Sequence, residues 1–173
     1  MTVSRFSILS FLALVLTAIA LIPAGAHVFE MAAKMKLGRD AYFVAQGLYR
    51  GWAYFGIAIV GSLLATLANA ALPGARRDRL LSLFAAIMIA ASLAIFFAYV
   101  YPANRITQNW TAIPANWKNW RYQWEWGHVV SAVCTFLAFL ALAWLAATKK
   151  AKLRAGHAIN SASTAGRGRS RWS

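Results

Sequence analysis

Acid is scarce in this chain: four Asp and Glu stand against 18 Lys and Arg in 173 residues. With only 13% of residues charged and 61% hydrophobic, a soluble domain of this length has no material for a polar shell. A single cysteine, Cys134, excludes an internal disulfide and lies within an apolar run. There is no Gly-rich phosphate loop and no solenoid-type repeat. The net charge of +14 invites a nucleic-acid reading. The basic residues are instead spread along the flanks of apolar runs, the pattern of membrane proteins, and no nucleic-acid partner is expected.

What is present is long and apolar. Four runs reach or approach the length of about 20 residues needed to cross roughly 30 Å of hydrocarbon. They predict an all-α, integral membrane four-helix bundle, with spans near 6–26, 51–72, 80–101 and 126–148. One domain covers 1–148, and the basic, Ser/Gly-rich tail 149–173 is expected to be disordered. The alternative for 1–26 is a cleaved signal peptide, because Ala24-Gly25-Ala26 suits a small-residue cleavage site. Pro73-Gly74 stops the second span and Pro102 is expected to end the third. Ala58, Ser62, Thr66 and Ala70 recur every fourth residue in the second span. Ser82, Ala86, Ala90, Ala94 and Ala98 do so in the third. Small residues at that spacing let membrane helices approach closely, so both rows are expected to face neighbours.

Four spans put both termini on one side, together with Arg76, Arg77 and Arg79 in a very short hairpin. The positive-inside rule makes that side cytoplasmic, as in a bacterial inner membrane protein. The opposite, outer side receives a structured loop between helices 3 and 4. That stretch, Tyr101–His128, holds five of the eight tryptophans, two of the four prolines and one of the three histidines.

Four helix ends carrying chemistry meet on the outer side: His27 with Glu30, Tyr49 to Trp52, Tyr101 to Arg105, and Trp124 to His128. Residues three apart on a helix are neighbours, so His27 is expected to pair with Glu30 and Glu125 with His128. Three readings stay open. His27, Glu30, Glu125 and His128 could together hold one Zn, Cu or Fe, as carboxylate and imidazole ligands do in helix bundles. A histidine held by a carboxylate could act as a base without any metal, with Arg50, Arg105 and Arg121 stabilising an anionic intermediate. Or Glu30 and Glu125 pair with those arginines in a structural ion network. The tryptophans allow two placements, an interfacial aromatic belt or, for Trp117, Trp120 and Trp124, a short amphipathic helix lying as a lid across the bundle mouth. Asn109-Trp110-Thr111 is a glycosylation sequon if the chain passes through a eukaryotic secretory route.

The succession PAGAHVFE, AYFVAQGLYRGW, YPANRITQNWT and W-x-x-x-R-x-x-WEWGH resembles a family of small four-helix membrane proteins that includes fungal anthrone oxygenases. The resemblance spans about Phe6 to Ala147. It implies the four-helix fold, and an oxygenase acting on a reduced, quinol- or phenol-like aromatic substrate. Chemistry then assigns His27 or His128 as base, Glu30 or Glu125 as its orienting group, and Asn104, Arg105 or Trp110 as stabilisers of the enolate. No metal or flavin is required by that scheme. The rival class is a non-catalytic membrane subunit or small-ligand binder. The lipid bilayer is the expected partner in either case.

Overall fold

The backbone of residues 5–169 is described in a computed structural model, with side chains described for 8–148. Apolar periodicity becomes helix throughout, and among the described residues there is no strand. In chain order the helices are α1 (Arg5–Lys34), α2 (Arg39–Gln46), α3 (Phe55–Ala71), α4 (Arg76–Ile95), α5 (Tyr101–Ile106) and α6 (Trp117–Arg169). Two single 3₁₀ turns, Gly47–Tyr49 and Trp52–Tyr54, link α2 to α3, and a π turn, Phe96–Val100, fuses α4 to α5. Four stretches are long and apolar enough to cross a membrane: Ile8–Lys34, Trp52–Ala71, Arg76–Ile106 and Trp117–Thr148.

Three of these outrun the expected spans. α1 continues unbroken through Pro23 and past Ala26 to Lys34. Pro102 does not end the third run; it occupies the first turn of α5, directly after a π turn. The π turn before it carries the chain there, since the Tyr101 N–H bonds to the Phe96 carbonyl five residues back. Trp117, Trp120 and Trp124 form no separate lid, because they lie in the first turns of α6. The helix continues to Arg169, and the disorder expected of the tail falls on residues whose side chains lie outside the described residues, as does everything from 170 on.

α1 and α4 each pack against α3 and α6, so the four long elements form a ring. The interior between them is built of small side chains: Ala13, Ala65, Ala85, Ala138 and Ala141 surround Ile89 and Leu142. Hydroxyl and amide groups tie the helices across it. Ser10 donates to Asn69, Asn69 donates to Ser82, Thr17 meets Ser62, and Ser92 meets Thr135 at 3.0 Å. In an apolar surround such bonds and close packing are what hold helices together.

The α3 row Ala58, Ser62, Thr66 and Ala70 is buried, as the spacing predicts. The α4 row is not. Ser82 and Ala86 are buried, but Ala90, Ala94 and Ala98 are exposed. A four-residue step overshoots a 3.6-residue turn by about 40°, so a long row winds off the contact face. The residues facing inward are Asp78, Ser82, Ala85, Ala86, Ile89 and Ser92, a mix of three- and four-residue steps.

The join between α6 and the π turn is the tightest approach at this end. A Cβ on Gly127 would lie 2.9 Å from Val100 Cγ2 and 3.2 Å from Tyr99 Cβ. Val100 is fully buried and stiff at χ1, so it has nowhere to turn. Gly127→Ala is expected to cost about 1–3 kcal/mol by overpacking. Gly56→Ala, whose Cβ meets nothing within 4 Å, serves as the neutral control. Equal melting temperatures for the two variants in detergent would contradict the close approach.

Candidate functional site

The last turns of α1 place His27, Glu30 and Lys34 on one face, and the first turns of α6 place Arg121, Trp124, Glu125 and His128 on another. The two faces meet. His27 and His128 lie with ring centroids 4.0 Å apart, tilted by 34°. Lys34 Nζ stands 2.9 Å from Glu125 Oε1, with 6% and 0% of the two side chains exposed. These contacts run between helices. The expected pairings within a helix give way, because Lys34 and Tyr42 take the Glu125 carboxylate while Tyr49 donates to Glu30.

α2 seals the base of the site. Its Gln46 Nε2 donates to the Tyr42 hydroxyl (2.8 Å), which in turn donates to Glu125 Oε1 (2.8 Å). Burial, with the adjacent Glu125 carboxylate, pushes the Tyr42 phenol well above its ordinary range, so it stays a donor. Burial and the hydrogen bond to Glu30 do the same for Tyr49. Gly51, at φ 90°, supplies the left-handed turn that sends Trp52 back over His27 and Tyr49. Aromatic rings then wall the imidazoles: Tyr49 and Trp124 stand edge-on to His27 at 4.6 and 4.9 Å. The Lys34 ammonium lies 4.6 Å from both the Tyr49 and Trp124 ring centres, a cation–π clamp in a buried setting.

The third wall comes from the turn after α5. Gln108, Asn109 and Trp110 have φ of 49°, 55° and 66°, three consecutive non-glycine residues in the left-handed region. Such residues cost of order 1–3 kcal/mol each and persist only where surroundings hold them. Thr107 is the holder. Its buried hydroxyl donates to the Ala103 carbonyl and accepts from the Trp110 N–H, while Thr111 and Ala112 N–H groups both donate to its carbonyl. The result turns the Trp110 indole inward, against Tyr42 and Trp124. Asn104 Oδ1 accepts both indole N–H groups, from Trp124 at 2.8 Å and Trp110 at 3.1 Å.

The site therefore gathers His27, Glu125 and His128, with Asn104 and Trp110 beside them through Trp124. Glu30 is exposed at the rim, and Arg105 is exposed on a separate groove with Tyr101, Pro102, Ile106 and Trp120. Arg50 is exposed as well. Arg121 pairs with no carboxylate; it donates to the Leu37 carbonyl and stacks on Trp117, pinning the turn that leads to α2. Among the described residues no three His, Cys, Asp or Glu side chains gather as metal ligands. In the expected set of His27, Glu30, Glu125 and His128, Glu30 is exposed at the rim and bonded to Tyr49, while Glu125 Oε1 is taken by Lys34 and Tyr42 and Glu125 Oε2 has no partner in the protein.

Lys34, Tyr42 and Gln46 do not figure in the sequence reading of the site. Lys34 carried a signal, lying two helical turns after His27 on the same face, but only if α1 is extended past Ala26. Tyr42 and Gln46 are four apart, which a helical reading of 39–46 makes a pair. Comparison with family models, curated proteins and solved structures gives no match for this chain.

Two outcomes check the geometry. Asn104→Ala strands two indole N–H donors in a buried site, at about 1–3 kcal/mol each, whereas Asn104→Asp keeps the acceptor. Melting temperatures should fall clearly for the first and much less for the second. Spectrophotometric titration through about pH 10, the ordinary tyrosine range, should give Tyr42→Phe the same phenolate absorbance as the parent protein. A loss near one part in five would show Tyr42 ionising normally, since the chain has six tyrosines and Tyr49 stays out of the titration.

Proposed function

We propose that the four long helices cross a bacterial inner membrane, with both termini and the Arg76–Arg79 hairpin cytoplasmic, and that the His27 end is the outer-side active site of an oxidoreductase. The reading extends the resemblance to anthrone oxygenases. Its substrate is a quinol- or phenol-like aromatic with an activated methylene. The observation that carries it is His27 Nδ1, a buried imidazole nitrogen with no hydrogen-bond partner in the protein. Such an atom costs about 1–3 kcal/mol to leave unmade. Set among Tyr49, Trp52, Trp124 and His128, it is a base waiting in an aromatic slot.

In this scheme His27 takes a proton from the substrate methylene and leaves a ring-delocalised carbanion. The Lys34 ammonium, close to the same rings, stabilises the negative charge. Dioxygen adds to the carbanion, and the proton on His27 returns to the peroxide. Loss of water then leaves a carbonyl, with one oxygen in the product and one in water. The electrons of both C–H bonds go to dioxygen, so the balance needs no further oxidant.

A second reading rests on the Lys34–Glu125–Tyr42 chain, which ties α1, α2 and α6 as a structural network would. In it the protein is a non-catalytic subunit or small-ligand binder. Oxygen uptake by the purified protein with anthrone separates the two. The enzyme reading expects turnover above the buffer rate, reduced on the order of 10²-fold or more in His27→Ala at unchanged melting temperature. Anthrone oxidation no faster than in buffer, or equal in His27→Ala, would leave only the structural reading.

A further inference from the structure

Arg105 is a cation without a counter-ion in its own chain. It lies in the last turn of α5, exposed, and lines an open groove of about 420 Å³ with Tyr101, Pro102, Ile106 and Trp120. The chain has four acids. Glu125 is held by Lys34 and Tyr42, Glu30 by Tyr49, and Asp40 by Arg39. Asp78 sits in the first turn of α4, about 40 Å of helix away from Arg105. No acid of the chain is therefore placed to compete with an anionic ligand for Arg105.

The rest of the groove says what kind of anion. Its other walls are apolar and aromatic, and Tyr101 and Ile106 are 44% and 49% exposed. Phe97, 60% exposed, continues the strip one turn down the same run, with its ring 5.9 Å from that of Tyr101. Trp120 commits its indole N–H to Asn116, which leaves its ring as a wall. A free inorganic anion would use the arginine and waste the strip. An amphiphile uses both. Tyr and Trp at the end of a spanning helix mark headgroup depth, and a guanidinium there matches a phosphate in two-pronged fashion.

We propose that this groove is a binding site for an anionic phospholipid, its phosphate on Arg105 and its acyl chain along Tyr101 and Phe97. The proposal rests on the reading that the helices cross a membrane and not on the oxidation chemistry. Loss of anthrone turnover leaves it standing, and loss of lipid binding leaves the oxygenase reading standing.

Native mass spectrometry of the detergent-purified full chain, titrated with phosphatidylglycerol or phosphatidylcholine, tests it. The parent protein should bind phosphatidylglycerol about tenfold or more tightly, and Arg105→Gln should lose that preference. Lys118→Gln, an exposed cation outside the groove, should keep it. Equal binding of the two lipids would overturn the proposal, as would an Arg105→Gln protein that binds like the parent. So would a Lys118→Gln loss matching that of Arg105→Gln, which would mean diffuse surface charge. Displacement of the lipid by glycerol phosphate at equal concentration would assign the site to a free anion instead.

Discussion

The ammonium of Lys34 and the carboxylate of Glu125 face each other at 2.9 Å between the end of α1 and the start of α6, with almost no exposure on either. Two charges so placed constrain everything near them. Removing either would strand the other, at about 3–5 kcal/mol, so the two helix ends are held in register. That register sets His27 over His128 and puts Trp124 between the lysine and the imidazoles. The pair also recruits α2, since the Glu125 oxygen that meets Lys34 accepts from Tyr42 as well. The site is therefore assembled by a contact between the first and last long helices, the most distant in sequence.

Against this fixed pair the other wall is set by backbone shape. The π turn at Phe96–Val100 and the glycine contact at Gly127 bring α4, α5 and α6 together closely. The left-handed run Gln108–Trp110 then folds an indole back into the interior, where Asn104 receives it. π turns and left-handed non-glycine residues both cost free energy, and both concentrate where a side chain must be aimed. Here they aim Trp110 and Trp124 at one acceptor. The same α5 shows Arg105 to the outside, so its two faces serve the interior site and the surface groove separately.

The four apolar runs made the four long helices legible in the sequence, since length and composition decide them. The end at which His27, Glu125 and His128 gather followed from topology alone. Their partners did not. Spacing within a helix favoured His27 with Glu30 and Glu125 with His128, but contacts between helices depend on rotation about each axis, which four short apolar patterns leave free. Lys34 was hidden because a basic residue after an apolar run reads as a membrane flank. Here two more helical turns carry it into the site. Tyr42 was hidden because its eight-residue helix lies in a stretch that reads as a connection. The α4 alanines misled in the opposite way, by a spacing that drifts off the contact face after two steps.

A double-mutant cycle between Lys34 and Glu125 tests most directly whether this pair organises the site. Lys34→Met, Glu125→Leu and the double variant would be compared by melting and chemical denaturation in the same detergent. If the pair is the organising contact, each single change is costly, the double change recovers much of the loss, and the coupling exceeds about 2 kcal/mol. Effects that simply add, to within about 0.5 kcal/mol, would contradict that account.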